Sequence, residues 1–205
     1  MEFQGFVDED FEVFHIGGLE KRMEGIRARI QPKFRALGEK LAPRLSHMTG
    51  EEMFLHIAKH ARRKVNPPAD TWLALSVDKR GYKKMPHFQV GLFDDRVFIW
   101  LAYINELENK RRFGEKLLEN LKMIKETVPG DFVVSADHTK KEGTFLREAD
   151  LQKMLERFVG VKKEEFLLGK YIHRGDPVLH KGKELEKIIV ETFETLVPVY
   201  RASFS

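Results

Sequence analysis

Three of the chain's eight histidines, His87, His138 and His173, are candidates for general acid/base work, because an imidazole titrates near neutrality. No spacing around them selects a reaction, so catalytic residues are left unassigned. Ser135, Asp137 and His138 are close in sequence, but on a strand Ser135 and Asp137 share a face while His138 points away, and a triad needs its members to converge. None of the five serines sits in a G-x-S-x-G elbow. His56 and His60 stand four apart, the spacing of two imidazoles on one helix face, yet the glutamate of H-E-x-x-H is absent and Arg62, Arg63 and Lys64 follow. Adjacent cations repel a divalent metal, so this segment reads as a solvated basic face, with no metal ligands assigned. No cofactor is expected, because neither G-x-G-x-x-G nor G-x-x-x-x-G-K-[ST] occurs and Gly17-Gly18 reads as a helix-entry turn. Arg174-Gly175-Asp176 reads as a turn ahead of Pro177.

Anion binding has more support. Lys59, Arg62, Arg63 and Lys64 form one cluster of four cations in six residues, and Lys79, Arg80, Lys83 and Lys84 form another around Gly81-Tyr82. Such density in a chain of net charge +4 means uneven charge, which is how an anion or polyanion site looks from sequence. The competing reading is a solubilising surface. The candidate anion-binding residues are Arg62, Arg63, Asn66, Lys79, Arg80 and Tyr82. Arg63 precedes the first strand and Arg80 follows it; an extended run from Thr71 to Val77 separates its ends by about 20 Å. The clusters are therefore expected to serve two anion sites or one long ligand, or to leave one cluster idle.

A second surface comes from strand alternation. His87, Gln89 and Gly91 share one face, opposite Phe88, Val90 and Leu92. Tyr171 shares a face with His173, and Trp72 with Ser76. A sheet with helices on one side would collect these groups on the other, so Trp72, His87, Gln89, Tyr171 and His173 are the candidate ligand-binding residues. An ordinary half-solvated antiparallel sheet would show the same alternation.

The elements that must position these groups follow from hydrophobic period. Leu19, Met23, Ile26 and Ile30 mark one helix, and Phe34, Leu37, Leu41 and Leu45 another beyond Gln31-Pro32. Thr49 with Glu52 reads as a capping box opening a third, along Met53, Phe54, Ile57 and Ala61. Strands are expected at Thr71 to Val77, His87 to Phe93 and Val97 to Ile104, an antiparallel meander. A long helix on Phe113, Leu117, Leu121 and Ile124 precedes a strand at Phe132 to Ala136 and a helix on Leu151 to Phe158 ending at Gly160. A last strand, Phe166 to His173, leads into a C-terminal helix through Leu196. The prediction is one α+β domain over residues 1–205, with a helical sub-layer at 1–65 and a mainly antiparallel sheet with helices at 70–205.

The chain of 205 residues has no cysteine, which excludes disulfides, Cys-type zinc sites and thiol nucleophiles. Its longest apolar run, Val97 to Ile104, is far short of a membrane span, and the start MEFQGFVDED carries no basic and apolar leader. A soluble cytoplasmic protein without membrane partners is expected.

KHARRKVNPPADTW (Lys59 to Trp72), KRGYKKMPHFQVGLFDD (Lys79 to Asp95) and FHIGGLEKRMEGIRARIQPKF (Phe14 to Phe34) resemble the YktB-like family of uncharacterised bacterial proteins. The resemblance runs over essentially the whole chain. It implies a compact α+β domain whose sheet is similar to the TATA-binding-protein-like fold, and it implies no function; fold likeness is not evidence of DNA binding. The expectation from the residues is a small-molecule or anion-binding domain, with nucleic-acid binding along the basic surface or an enzyme of unrecognised class as alternatives. Oligomeric state is not legible.

Overall fold

The computed structural model describes residues 2–205. Its N-terminal part is helical: α1 (Asp8–Glu12), α2 (Leu19–Gly25), one π-helical turn (Ile26–Ile30) and α3 (Gln31–Thr49). Pro32 does not break this run; it stands in the first turn of α3, directly after the π-helical turn. The helix expected from Thr49 is not formed. Thr49 ends α3, donating its hydroxyl back to the Leu45 carbonyl, and Gly50 takes the left-handed conformation, φ 80°, that terminates helices. Phe54–Ile57 is instead a strand, β1. Four residues with two bulky apolar ends fit either period, and pairing with the next strand decides.

The meander follows as β2 (Thr71–Ser76), β3 (His87–Leu92) and β4 (Arg96–Tyr103). The expected long helix is two, α4 (Lys110–Glu119) and α5 (Leu121–Thr127), meeting at Asn120. Then come β5 (Val133–Ser135), a short β6 (Thr144–Phe145), α6 (Leu151–Gly160), β7 (Phe166–His173) and α7 (Gly182–Ala202). The seven strands form one antiparallel open sheet in the order β1-β2-β3-β4-β7-β5-β6, two strands more than expected from sequence. Both additional strands, β1 and β6, are its edges, and short edges offer little template for aggregation. The fold is α+β. No helix among the described residues is long and apolar enough to cross a membrane.

Alternation sends Leu73, Leu75, Phe88, Val90, Ile99 and Leu101 to the helical side, where α3 and α7 cover them in the main core, with α6 packed over β7. The opposite face has its own smaller core of Phe93, Phe98, Trp100, Ala102, Ile104, Val133 and Leu167, flanked by Trp72 and Tyr171, and no helix contributes to it. Two glycines let aromatic rings lie on this face. A Cβ at Gly91 would collide with the Phe98 ring, and one at Gly169 would collide with the Ile99 carbonyl oxygen and lie 2.9 Å from Trp100 Cε3. Gly169→Ala is expected to cost about 2 kcal/mol, read as a lower urea midpoint at constant slope, because a backbone atom cannot swing away as a side chain can. An unchanged midpoint would mean the sheet bends to admit the methyl.

Candidate functional site

The helix-free face carries the groups singled out by sequence. Strand register places them in rows: Trp72, Gly91, Phe98 and Tyr171 in one, and His56, Ala74, Gln89 and Trp100 in the next. Trp72 and Tyr171 share a face but stand three strands apart, roughly 14 Å at about 4.8 Å per strand. The five candidate ligand-binding residues therefore do not gather in one pocket. Nor is the face a wetted sheet surface: His87, Gln89 and Ser76 are fully buried, because the connections between strands fold over them.

His87 and Gln89 satisfy one another. The Met85 carbonyl can only accept, so His87 Nδ1 carries the proton and donates at 2.8 Å, leaving Nε2 to accept from Gln89 Nε2, also at 2.8 Å. Burial pushes this imidazole down to about 4. With both nitrogens engaged, His87 is held as a neutral structural group. Tyr82 lies against it with ring centroids 4.9 Å apart, and its hydroxyl accepts from Trp72 Nε1–H at 3.1 Å. Burial pushes the Tyr82 phenol up to about 12.

His56 and His60 do not share a helix face. His56 sits on β1, bonded to the Asp78 carbonyl at 2.9 Å, while His60 lies beyond the strand in a left-handed conformation, φ 51°. His60 Nε2 is 3.1 Å from the Thr71 hydroxyl, and burial together with the Arg63 charge holds its ring down at about 4.

The basic clusters meet, contrary to the strand-length argument. β1 pairs antiparallel to β2 and Ala58 N–H donates to the Trp72 carbonyl, so the segment carrying Lys59 and Arg62 stays at the start of β2; it is the β2–β3 connection that folds back over the sheet to meet it, Tyr82 accepting from Trp72 Nε1–H at 3.1 Å. Arg62 and Lys83 both reach Glu106 Oε1, at 3.6 and 2.8 Å, and Lys84 reaches Glu108 at 2.7 Å. Together they border a groove of about 1070 Å³ with Leu55, Ile57, Val77 and Met85 as apolar lining, His56 and Tyr82 as aromatic lining, and Lys59 and Arg80 on its rim. Five cations there face three acids, Asp78, Glu106 and Glu108. Lys79 lies over the Phe54 ring at 5.9 Å. Arg63 turns away and donates to the carbonyls of Asn66 and Pro67 at 3.4 Å, and Asn66 itself is exposed.

Tyr171 and His173 line a separate hollow of about 860 Å³ with Arg96, Lys141 and Lys170, balanced by Asp131, Glu142 and Asp176. Arg96 stacks over the Tyr171 ring at 4.8 Å, and the Tyr171 hydroxyl is buried without a partner. His173 is exposed at the end of β7 and makes no side-chain hydrogen bond among the described residues.

The group that spacing missed is around His138. Glu165, buried at the start of β7, accepts from the His138 backbone N–H at 2.8 Å and from its ring Nδ1 at 2.6 Å through Oε2, and from Asn105 N–H at 3.1 Å through Oε1. Burial pushes the His138 imidazole down, but the Glu165 hydrogen bond and the charges of Glu165, Asp70 and Asp137 outweigh it and hold it above its ordinary value. Donor atoms of Asp137, His138 and Glu165 lie within 4.8 Å of one another. The His138 ring packs edge-on against Trp72 with centroids 5.8 Å apart. Asp70, two residues before Trp72, is buried with Oδ2 unpartnered, and burial raises its carboxyl to about 6. Glu165 is 27 residues from His138, so no local pattern links them.

The family model described as "Domain of unknown function (DUF1054)" matches residues 6–200. A UPF0637 protein of Shouchella clausii is 54% identical over all of this chain and 97% of its own length. One from Oceanobacillus iheyensis is 56% identical over 96% of this chain and 95% of its own, and one from Listeria monocytogenes is 49% identical over 99% of each. The resemblance read from the sequence therefore holds: the chain belongs to the DUF1054 family, the UPF0637 (YktB-like) proteins of bacteria.

Proposed function

We propose that this chain is a cytoplasmic, single-domain protein that binds a small anionic ligand, phosphate- or carboxylate-bearing with an apolar or aromatic body, in the groove between β1 and the β2–β3 connection. The convergence of both basic clusters at Glu106 carries this reading. Exposed pairs such as Arg62–Glu106 and Lys83–Glu106 contribute about 1 kcal/mol or less, so an incoming anion can displace the carboxylate and take over both cations. The apolar lining and the flat faces of His56 and Tyr82 suit the rest of such a ligand. The hollow beside Tyr171 is less suited, because its cations are matched by acids.

Native mass spectrometry of freshly purified protein, followed by calorimetric titration with pyrophosphate and with an aromatic phosphate monoester, tests this. The parent is expected to bind, and the double variant Arg62→Ala with Lys83→Ala to bind at least about tenfold more weakly, the equivalent of one lost charge-assisted contact. Equal affinity in parent and double variant, or no binding by either, removes the groove as the site.

Nucleic-acid binding is less favoured. Trp72 and Tyr82 are bonded to each other and partly covered rather than presented as stacking platforms, and Glu106 and Glu108 interrupt the positive surface. A steep fall of oligonucleotide affinity with salt, unaffected by the small anions, would reverse that preference.

A further inference from the structure

We propose that the unpaired edge of β7 at residues 171–173 is a docking site for an extended, basic peptide segment of a partner protein, which adds a strand to the sheet there. Strand register carries this. β4 pairs with β7 along its whole length, whereas β5 reaches only Leu167, Leu168 and Gly169. Asp131, which would continue β5 opposite Tyr171, lies instead in a turn that Phe132 N–H closes onto the Pro129 carbonyl at 3.0 Å.

The alternation of an antiparallel ladder says where the bare backbone groups point. Arg174 N–H donates to the Asp95 carbonyl at 2.7 Å, so Ile172 and Lys170 also turn their N–H and C=O groups toward β4, and Tyr171 and His173 turn theirs away from it. The His173 carbonyl accepts from Asp176 N–H at 3.0 Å. Tyr171 N–H, Tyr171 C=O and His173 N–H have no partner among the described residues. Strand addition works through such groups, main-chain hydrogen bonds giving affinity and alternate side-chain contacts giving specificity. The hollow of about 860 Å³ lies along this stretch, with Val133 and Tyr171 from the helix-free face and Ile172, Val178 and Ile188 from the helical side. An extended segment sends successive side chains to opposite faces, so it meets both linings at once.

Charge selects a basic occupant. Arg96 is spent on Asp95 at 2.8 Å and on the Lys141 carbonyl at 3.2 Å, Lys141 pairs with Asp94, and Lys170 lies over the Phe132 ring at 4.7 Å and 3.8 Å from Asp131. Glu142 and Asp176 form no ion pair among the described residues, and Asp176 commits only Oδ1, to Val178 N–H at 2.9 Å. The charge left uncompensated in the hollow is therefore negative. A Lys or Arg side chain on the incoming strand neutralises it, and an acidic segment meets two unpaired carboxylates. The edge is separate from the basic groove and does not depend on that groove binding an anion.

The test is selection of a phage-displayed library of random octapeptides on the full-length protein, followed by fluorescence anisotropy with the most enriched peptide. Enriched sequences are expected to carry Lys or Arg and few acids. His173→Pro removes only an N–H that is already unpaired and turns the proline ring toward the incoming strand, and it is expected to weaken binding about tenfold or more. Glu142→Gln with Asp176→Asn is expected to weaken it about threefold or more, a difference that fades as salt screens the carboxylates. The Arg62→Ala and Lys83→Ala double variant is expected to bind the peptide as the parent does, which separates this edge from the groove. In the free protein the Tyr171 amide is expected to exchange with solvent faster than those of Lys170 and Ile172, and the peptide to protect it. Circular dichroism confirms that each variant is folded before it is scored. Absence of an enriched peptide that binds, equal binding by parent and folded His173→Pro protein, or a Tyr171 amide already protected in the free protein overturns the proposal. Self-association of the parent that His173→Pro abolishes also overturns it, by giving the edge to a second copy of the chain.

Discussion

Between pH 6.5 and pH 4 the protein is expected to lose about 3 kcal/mol of folding stability through His87 alone. In the unfolded chain this imidazole takes up its proton near 6.5; in the folded protein burial delays protonation to about 4. Across that window the unfolded state holds more protons, so stability falls as pH falls, and the effect is complete once both states are charged. His60, also held near 4, acts in the same sense. Asp70 opposes it: a carboxyl raised to about 6 stabilises the fold at low pH, and that contribution is lost as pH rises from 3.8. The comparison must therefore be between two proteins rather than two pH values. Urea midpoints of the parent and of His87→Asn, whose amide does not titrate, should diverge in slope across the window, with Asp70 and His60 cancelling. Parallel curves would show that the folded protein protonates His87 as readily as the unfolded chain does.

That expectation rests on a residue legible from sequence only in part. The alternation of His87, Gln89 and Gly91 against Phe88, Val90 and Leu92 correctly puts the polar trio on the face away from the helices. Whether that face meets water is a separate matter, because it depends on where the strand connections fold, and these have no period to read. The elements divide in the same way. β7 is visible residue for residue, and β2, β3 and β4 to within one residue at each end, since each is a run of bulky apolar side chains long enough to set its own period. β1 was open to either period, and a capping-box pattern at Thr49 and Glu52 pointed to a helix that Gly50 had already ended.

The site follows the same logic at longer range. The density of Lys59 to Lys64 and of Lys79 to Lys84 is a sequence property, but their meeting is made by the β2–β3 connection, which folds back to Trp72 and has no period to read. Among the three candidate histidines, type alone could not choose. His87 spends both nitrogens on structure, His173 stands free at a strand end, and only His138 has a carboxylate set behind it. That carboxylate comes from the start of β7, which reaches the 136–143 connection because Glu165 N–H donates to the Ala136 carbonyl at 3.1 Å.

Glu165 is consequently expected to be among the least replaceable polar residues of the fold. Glu165→Ala removes the acceptor of two backbone N–H groups and one imidazole at a buried position, and such a change costs about 3–5 kcal/mol because the former partners stay desolvated without a replacement. Glu165→Gln keeps an acceptor oxygen but loses the charge, so a smaller loss of about 1–2 kcal/mol is expected. The two variants also differ from the parent in how their deficit depends on pH. In the parent, His138 is raised above its ordinary 6.5, so its pairing with Glu165 contributes fully below that pH and is lost as pH rises through the folded value. The deficit of Glu165→Gln should therefore be larger at pH 6 than at pH 9, and the His138 ring signals in an NMR titration should move at lower pH than in the parent. A Glu165→Ala protein within about 1 kcal/mol of the parent would mean that water replaces the carboxylate without loss, and that the 136–143 connection is held by something other than this residue.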